Sequence, residues 1–188
     1  MKILLGVSGG IAAYKACDLV SLANKQGHQV QVVMTASATR FVTPLSFEAL
    51  SGRPVMTSTW EGVGNPGIDH IEVAKWAEVS CVAPCSANTM GKLACGIADD
   101  ALSTVWMALR RGTRCVIAPA MNTEMWLNPV VQRNRQWLDN LGRYHFIEPV
   151  EKRLACGDIG VGGLADTQSI LDAVTTACNL VSAQPATQ

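Results

Sequence analysis

The stretch KILLGVSGGIAAYKACDLVSLANK, from Lys2 to Lys25, predicts the fold class of the whole chain. Its first six residues are mostly apolar, as expected of a strand that is buried on both faces. A serine and two glycines follow, and a helix is predicted from Ala12 to Lys25, with Ala16, Leu19, Val20 and Ala23 on one face. Gly27 ends that helix. A buried strand followed at once by a helix is the repeating unit of a parallel α/β sheet.

Further along the chain, short apolar runs continue to alternate with segments of helical period. Strands are predicted at Gln29–Met34, Ser80–Pro84, Arg114–Pro119 and Tyr144–Pro149, and helices at Pro44–Gly52, Thr89–Leu93, Asp100–Arg110, Pro129–Leu141 and Gln168–Leu180. A polar loop is predicted from Thr57 to Asp69. This alternation predicts one α/β domain over residues 1–181, with helices on both faces of a parallel sheet. Residues 182–188 are predicted to form a flexible C-terminal tail.

Composition narrows the functional classes. Lysine plus arginine equals aspartate plus glutamate at 15 each, so bulk charge predicts no attraction to nucleic acid or to an anionic membrane. Apolar residues make up 48% of the chain and charged residues 16%, an excess that favours surface buried between subunits. The seven cysteines lack paired spacing, and no apolar run resembles a signal peptide or a membrane span. These features predict a cytoplasmic, reducing location.

The carboxyl ends of the strands are where parallel α/β sheets bind ligands. After the first predicted strand, Ser8, Gly9 and Gly10 open directly into a helix, which lets a phosphate approach backbone N–H groups. The second strand ends in Thr35 and Ser37 with no acidic residue to hold a ribose. The glycine spacing also differs from that of dinucleotide-binding folds. A phosphate site and an ordinary structural turn are equally consistent with this stretch.

Two later strand ends carry short polar side chains. Ser86, Asn88 and Thr89 follow the third strand, where these residue types either cap a helix or bind a ligand. Asn122 follows the next strand, and its uncharged amide is suited to holding a carboxylate. Its neighbour Met121 is more typical of a hydrophobic core.

A histidine and a cysteine stand in less regular stretches. His70 lies where the polar loop gives way to ordered structure, a position that a general base could occupy. His28 follows a helix end, and His145 lies inside a predicted strand and is expected to be packed. The stretch Glu151–Asp166 contains four glycines and one cysteine, Cys156. Its composition favours neither helix nor strand and predicts a mobile segment.

Five segments occur in the order shown by a known protein family: SGGIAAYK, HIEVAKWAE, SANT, PAMNTEMW and RLACGD. On these motifs the chain resembles the flavin-containing cysteine decarboxylases, from Lys2 to about Leu180. The PAMNTEMW and ACGD motifs are specific to that family, whereas the glycine turn is not. Within the family, the chain looks most like the members that act on 4′-phosphopantothenoylcysteine in coenzyme A biosynthesis.

The resemblance implies a flavodoxin-like fold that binds FMN and assembles as trimers or multiples of trimers, such as dodecamers, with sites at subunit contacts. It implies oxidation of the substrate thiol to a thioaldehyde, loss of CO₂ and re-reduction of the enethiol to 4′-phosphopantetheine. The cofactor-binding residues that it implies are Ser8, Gly9, Gly10, Ile11, Thr35, Ser37, Ser86, Ala87, Asn88, Thr89, Ala120 and Met121. The substrate-binding residues that it implies are Asn122, Met125, Arg153, Ala155 and Gly157.

The resemblance also implies three catalytic roles. His70 would be the active-site base, Asn122 would hold the substrate carboxylate, and Cys156 would be the proton donor. A thiol is mostly protonated at neutral pH and can donate, while a neutral imidazole can accept. The glycines around Cys156 would let the segment close over the substrate and exclude water.

Three alternatives stay open. A decarboxylase of the same family could act on the C-terminal cysteine of a peptide, although such an enzyme stops at the enethiol and does not need the ACGD thiol. A prenyl-transferring relative shares the fold, but its chemistry would leave His70, Asn122 and Cys156 unexplained as a group. A non-catalytic regulatory subunit of a protein phosphatase is the third alternative, and such members lack part of the catalytic set or carry long acidic extensions.

One position departs from the pattern of many bacterial relatives. Gly163 stands where those relatives carry arginine, so contacts to the substrate phosphate are expected to differ. A ligase domain that attaches cysteine to phosphopantothenate, fused or separate, is a further expected partner.

Overall fold

The computed structural model describes residues 1–60, 69–153, 157 and 159–182, and of residues 69, 181 and 182 only the backbone. Five strands form one parallel sheet: β1 Lys2–Val7, β2 Gln29–Met34, β3 Val79–Cys85, β4 Cys115–Pro119 and β5 Tyr144–Phe146. Their order across the sheet is β2-β1-β3-β4-β5. This is the strand order of flavodoxin-like folds, so the predicted fold class is confirmed.

Eight α-helices accompany the sheet in the described part of the chain. They are α1 Lys15–Lys25, α2 Pro44–Ser51, α3 Asp69–Trp76, α4 Ala87–Cys95, α5 Ala101–Ala108, α6 Thr123–Leu127, α7 Pro129–Asn140 and α8 Thr167–Ser182. Two short 3₁₀ helices, Ile11–Tyr14 and Ala38–Arg40, follow β1 and β2. None of the described helices is both long and apolar enough to cross a bilayer.

The sheet has a hydrophobic core on each face. One core packs Leu19 of α1 and Ile170 of α8 against the sheet, and the other packs Met90 of α4 and Trp106 of α5. The second core requires a glycine at position 6 of β1, because a Cβ on Gly6 would lie 2.8 Å from the Trp106 ring. Buried apolar side chains on both faces explain why the strands read as continuous apolar runs.

Strands β6 (Val150–Arg153) and β7 (Ile159–Gly163) form a separate antiparallel hairpin. The expectation that Glu151–Asp166 favours no strand is therefore wrong for much of that stretch. Gly160, Gly162 and Gly163 of β7 each lie against another part of the molecule, where a Cβ would approach within 2.4, 2.1 and 2.1 Å of neighbouring atoms. These glycines permit close packing of a strand, which composition alone does not reveal.

Other sequence predictions differ from the structure in detail. The helix predicted from Ala12 begins as a 3₁₀ helix and becomes α1 at Lys15. Helix α3 and the short helix α6 have no counterpart among the predicted helices, and His145 on β5 is exposed rather than packed. Helix α8 runs to Ser182, so the rest of the predicted tail, 183–188, lies outside the described residues, as does 61–68 of the predicted loop.

Candidate active site

A cleft of about 610 Å³ opens beside the carboxyl ends of β1, β3 and β4 and against the β6–β7 hairpin. It is lined by Gly9, Gly10, Ile11, Ala12, Tyr14, Lys15, Ser86, Ala120, Met121, Asn122, Met125, Lys152, Arg153, Gly162, Gly163 and Leu164. This volume lies within the roughly 300–1,000 Å³ typical of small-molecule and cofactor sites.

Nine of the residues expected in the site line this cleft: Gly9, Gly10, Ile11, Ser86, Ala120, Met121, Asn122, Met125 and Arg153. They come from the glycine turn, the first residue after β3, the segment after β4 and the end of β6. The chain therefore brings most of the expected strand ends to one place, as parallel topology requires.

Ser8 is fully buried, and its hydroxyl is engaged within the protein. Its Oγ donates to the carbonyl oxygen of Pro84 at 2.8 Å and accepts from the backbone N–H of Ser86 at 2.8 Å. Ser8 thus ties the end of β1 to the end of β3 and fixes Ser86 at the wall of the cleft.

The turn after β2 packs against the turn after β1. A Cβ on Gly9 would lie 2.4 Å from Cβ of Ser37, so only a glycine fits between them. Ser37 is exposed, whereas Thr35 is buried and its Oγ1 accepts from the Ala38 N–H at 3.2 Å. Neither Thr35 nor Ser37 lines the cleft itself.

The Ser86–Thr89 stretch forms the start of α4. Ser86 is the N-cap: its Oγ accepts from the Thr89 N–H at 3.3 Å and donates to Thr89 Oγ1 at 3.2 Å. Thr89 is buried, Ala87 is half-buried and Asn88 is exposed. Of the four, Ser86 is the residue in the cleft wall.

Asn122 is half-buried and is the N-cap of α6. Its Oδ1 accepts from the Glu124 N–H at 2.8 Å, which orients the amide group. The preceding residue, Met121, donates its N–H to the carbonyl oxygen of Gly162 at 2.9 Å. The hairpin therefore contacts the segment that carries Asn122.

His70 occupies the first turn of α3 and is half-buried. Its Nδ1 is buried and has no hydrogen-bond partner among the described residues. The described lining of the cleft does not include His70. Within the part of the chain that the structure describes, His70 is therefore not part of the cleft that Asn122 lines.

Two residues expected in the site, Cys156 and Ala155, lie outside the described residues. Gly157 is described and exposed, with φ of 97°, and a Cβ there would meet no described atom within 4 Å. A φ in this range favours glycine over any residue with a side chain.

The cleft is also lined by residues that were not expected from the sequence, chiefly Tyr14, Lys15, Lys152 and Gly162. Lys15 begins α1 within the SGGIAAYK motif, which was a usable signal. Lys152 lies on β6, whose strand character was not recognised. Burial, followed by the positive charge of the nearby Lys15 ammonium, lowers the pKa of Lys152.

The cleft carries positive charge. Lys15, Lys152 and Arg153 line it, and its described lining includes no aspartate or glutamate. Such a surface attracts anionic ligands.

The strand order and the cleft at the strand ends define a flavodoxin-like α/β protein with a cleft of ligand size at the usual place for a binding site in such sheets. Comparison with known sequences gives the family: the profile of the Flavoprotein family matches residues 1–179, so the chain belongs to that family.

Two similar relatives differ in length. The chain is 49% identical over 170 residues to the coenzyme A biosynthesis bifunctional protein CoaBC of Bacillus subtilis, covering 90% of this chain and 41% of the relative. It therefore spans about two fifths of that longer relative. It is 44% identical over 173 residues to a probable phosphopantothenoylcysteine decarboxylase of Streptococcus mutans, covering 92% of this chain and 96% of the relative.

Two solved structures are similar over nearly the full length. A mutant PPC decarboxylase complexed with pantothenoylaminoethenethiol is 37% identical, with a TM-score of 0.80 and coverage of 93% of this chain and 96% of that one. The FMN-dependent cysteine decarboxylase SpaF is 34% identical, with a TM-score of 0.81 and coverage of 97% and 98%.

Proposed function

We propose that this chain binds FMN and decarboxylates 4′-phosphopantothenoylcysteine to 4′-phosphopantetheine. The observation that carries the proposal is the single cleft that joins the glycine turn, Asn122 and the β6–β7 hairpin. Cys156 lies between the two strands of that hairpin in the sequence. The similarity to the Streptococcus mutans protein and to the PPC decarboxylase structure supports this choice of substrate.

The cleft suits a flavin in size and chemistry. Gly10 lines it, and a Cβ there would meet no atom within 4 Å, so the absence of a side chain leaves space for a ligand. Ile11, Ala120 and Met121 give the wall an apolar character, while Ser86 supplies a hydroxyl group. These residues would hold the flavin, with Ser8, Gly9, Thr35 and Ser37 in the turns beside it and Ala87, Asn88 and Thr89 in the α4 start. Bound flavin supplies an acceptor for a hydride from the CH₂–SH carbon and later returns that hydride.

Side chains of this protein would bind the substrate carboxylate and transfer the protons. The Asn122 amide, oriented by its bond to the Glu124 N–H, would hold the substrate carboxylate through its NH₂ group without adding a charge. His70 would accept the thiol proton as the thioaldehyde forms. Once CO₂ has left, Cys156 would deliver a proton to the carbon that carried it. Met125, Arg153, Ala155 and Gly157 would complete the substrate site.

The position of His70 supports a site shared between copies of the chain. His70 does not line the cleft of its own chain, while the cleft is bordered by exposed apolar side chains, including Ile11 at 61% and Tyr14 at 54% exposure. A trimer, or a multiple of trimers, would cover these side chains and bring a neighbour's His70 to the cleft. A cytoplasmic location and a fused or separate ligase domain belong to the same proposal.

The test uses purified protein. Flavin absorbance in the preparation, followed by release and mass measurement, identifies the cofactor. Incubation with 4′-phosphopantothenoylcysteine is then followed by mass spectrometry, and wild type is expected to yield 4′-phosphopantetheine. Cys156→Ser should accumulate a product two hydrogens lighter, whereas His70→Asn should form neither product.

Two results would reject the proposal. A colourless protein that cannot be reconstituted with FMN would show that FMN is not the cofactor. Normal turnover by Cys156→Ser would show that Cys156 is not the proton donor. A peptide ending in cysteine serves as the competing substrate. Preferential turnover of that peptide would instead favour a peptidyl-cysteine decarboxylase.

A further inference from the structure

The side chain of Lys152 lies across Gly163 on the neighbouring strand of the hairpin. A Cβ on Gly163 would lie 2.1 Å from Cε, 2.6 Å from Cδ and 2.7 Å from Cγ of Lys152. Three successive carbons of the lysine thus occupy the space that any side chain at position 163 would need. Gly163 is therefore the feature that allows this path for the Lys152 side chain.

The path brings Lys152 to a second lysine. Lys15 and Lys152 both line the cleft, and the positive charge of Lys15 is close enough to lower the pKa of Lys152. Both are half-buried, and among the residues that the structure describes no carboxylate forms an ion pair with either. Two like charges held together without a counter-ion repel each other, and burial strengthens the repulsion.

The charge of this pair indicates which ligand would stabilise it. One carboxylate would neutralise one of the two ammonium groups, whereas a phosphate monoester carries close to two negative charges at neutral pH and offers three acceptor oxygens. We infer that Lys15 and Lys152 form the subsite for the 4′-phosphate of the substrate, with Gly163 as the positioning residue for Lys152; this inference rests on the function proposed above.

The location of the pair favours the substrate's phosphate over the flavin's. Gly162, next to Gly163, contacts Met121, which precedes the carboxylate-binding candidate Asn122. One hairpin thus connects the lysine pair to the segment assigned to the substrate. The phosphate of the flavin is assigned instead to the turns where Gly9 meets Ser37.

The experiment compares 4′-phosphopantothenoylcysteine with its dephosphorylated form, pantothenoylcysteine. Lys152→Met removes the charge, and Gly163→Ala keeps both lysines but displaces the Lys152 side chain. Each should lower kcat/KM for the phosphorylated compound about 10- to 100-fold, mainly through KM, because a charged hydrogen bond is lost. Turnover of pantothenoylcysteine should change less than about threefold. Lys152→Arg should recover part of the loss, and Lys25→Met, at the exposed end of α1, is the matched charge control.

Calorimetric binding of 4′-phosphopantetheine and pantetheine tests the subsite without turnover. Wild type should prefer the phosphorylated compound, and Lys152→Met should abolish that preference. Equal losses of affinity for both compounds would overturn the inference. So would a variant that binds FMN more weakly but riboflavin normally, because the lysines would then bind the phosphate of the flavin. If wild type decarboxylates neither compound, the proposed function is wrong. The phosphate subsite is then tested by calorimetry alone, through the preference for 4′-phosphopantetheine over pantetheine.

Discussion

The N–H of Met121 donates to the carbonyl oxygen of Gly162 at 2.9 Å, and a Cβ on Gly162 would lie 2.1 Å from the carbonyl oxygen of Met121. The two backbones therefore meet at a distance that only glycine permits. Since Asn122 follows Met121 directly and begins α6, this contact couples the β6–β7 hairpin to the proposed carboxylate-binding residue.

Gly162→Ala should disrupt this contact. The obstructing atom is a backbone oxygen that cannot rotate aside, so the hairpin must separate from the Met121 segment. We expect a loss of about 1–3 kcal/mol in the free energy of unfolding, measured by urea denaturation. Hydrogen exchange at the Met121 amide should accelerate. Gly112→Ala is the control, because a Cβ there meets nothing within 4 Å. Equal stability of the two variants would show that the hairpin contact is not structural.

The parallel sheet could be predicted because its strands are buried on both faces and separated by helices of clear period. All seven residues of β3 are buried and uncharged, and apart from Ser80 they are largely apolar residues that stand out as a run in the sequence. The hairpin could not be predicted in this way. Its β7 glycines accommodate Thr123, Met121 and Lys152, partners that only the folded chain brings near. Tertiary contacts there override local strand preference.

The same division holds for the candidate site: residues at the ends of the parallel strands could be predicted, and residues on the hairpin could not. Gly9, Gly10 and Asn122 stand at strand ends, where parallel sheets bind ligands, and all three line the cleft. Lys152 could not be identified because an isolated lysine in a sequence is typical of solvent-exposed surface, whereas Lys15 had a signal in its place within the SGGIAAYK motif. Their proximity depends on the hairpin, so no local pattern could indicate it.

Ser8→Ala should destabilise the protein through one unsatisfied donor. The Ser86 N–H would lose its acceptor, while the Pro84 carbonyl would keep a bond from the Ser8 N–H at 3.2 Å. We expect a cost of about 1–3 kcal/mol, since the site is buried. Ser37→Ala, at an exposed hydroxyl, should change the free energy of unfolding by less than about 0.5 kcal/mol. A Ser8→Ala protein as stable as Ser37→Ala would contradict the described bonding.

Gly9→Ala and Gly10→Ala form a matched pair that separates packing from ligand access. A Cβ on Gly9 would collide with Ser37, whereas one on Gly10 meets no protein atom within 4 Å. Gly9→Ala should therefore lower the unfolding free energy by about 1–3 kcal/mol. Gly10→Ala should leave it nearly unchanged but weaken FMN binding at least tenfold if the flavin occupies the space beside Gly10. Fluorescence titration with FMN measures the second effect, and unchanged affinity in Gly10→Ala would place the flavin elsewhere.

Asp100→Asn should reduce stability in a pH-dependent way. Burial raises the pKa of Asp100, but the Lys92 ammonium at 2.7 Å and the Ser103 groups at the start of α5 more than offset it, so the net pKa is lowered. A carboxyl whose folded pKa is lowered stabilises the fold above its unfolded pKa of about 3.9, and that contribution is lost as the pH falls through the folded pKa.

The free energy of unfolding of wild type should therefore exceed that of Asp100→Asn by about 0.5–1 kcal/mol at pH 7. This difference should decrease below about pH 4. Asparagine remains a good N-cap, so the substitution tests the charge rather than the cap. Asp99→Asn is the comparison, because Asp99 also contacts Lys92, at 2.5 Å, but is 61% exposed, and its removal should matter less. Urea denaturation at both pH values measures the effect. A difference that persists unchanged at pH 3 would mean that the Lys92–Asp100 pair does not stabilise the fold through its charge.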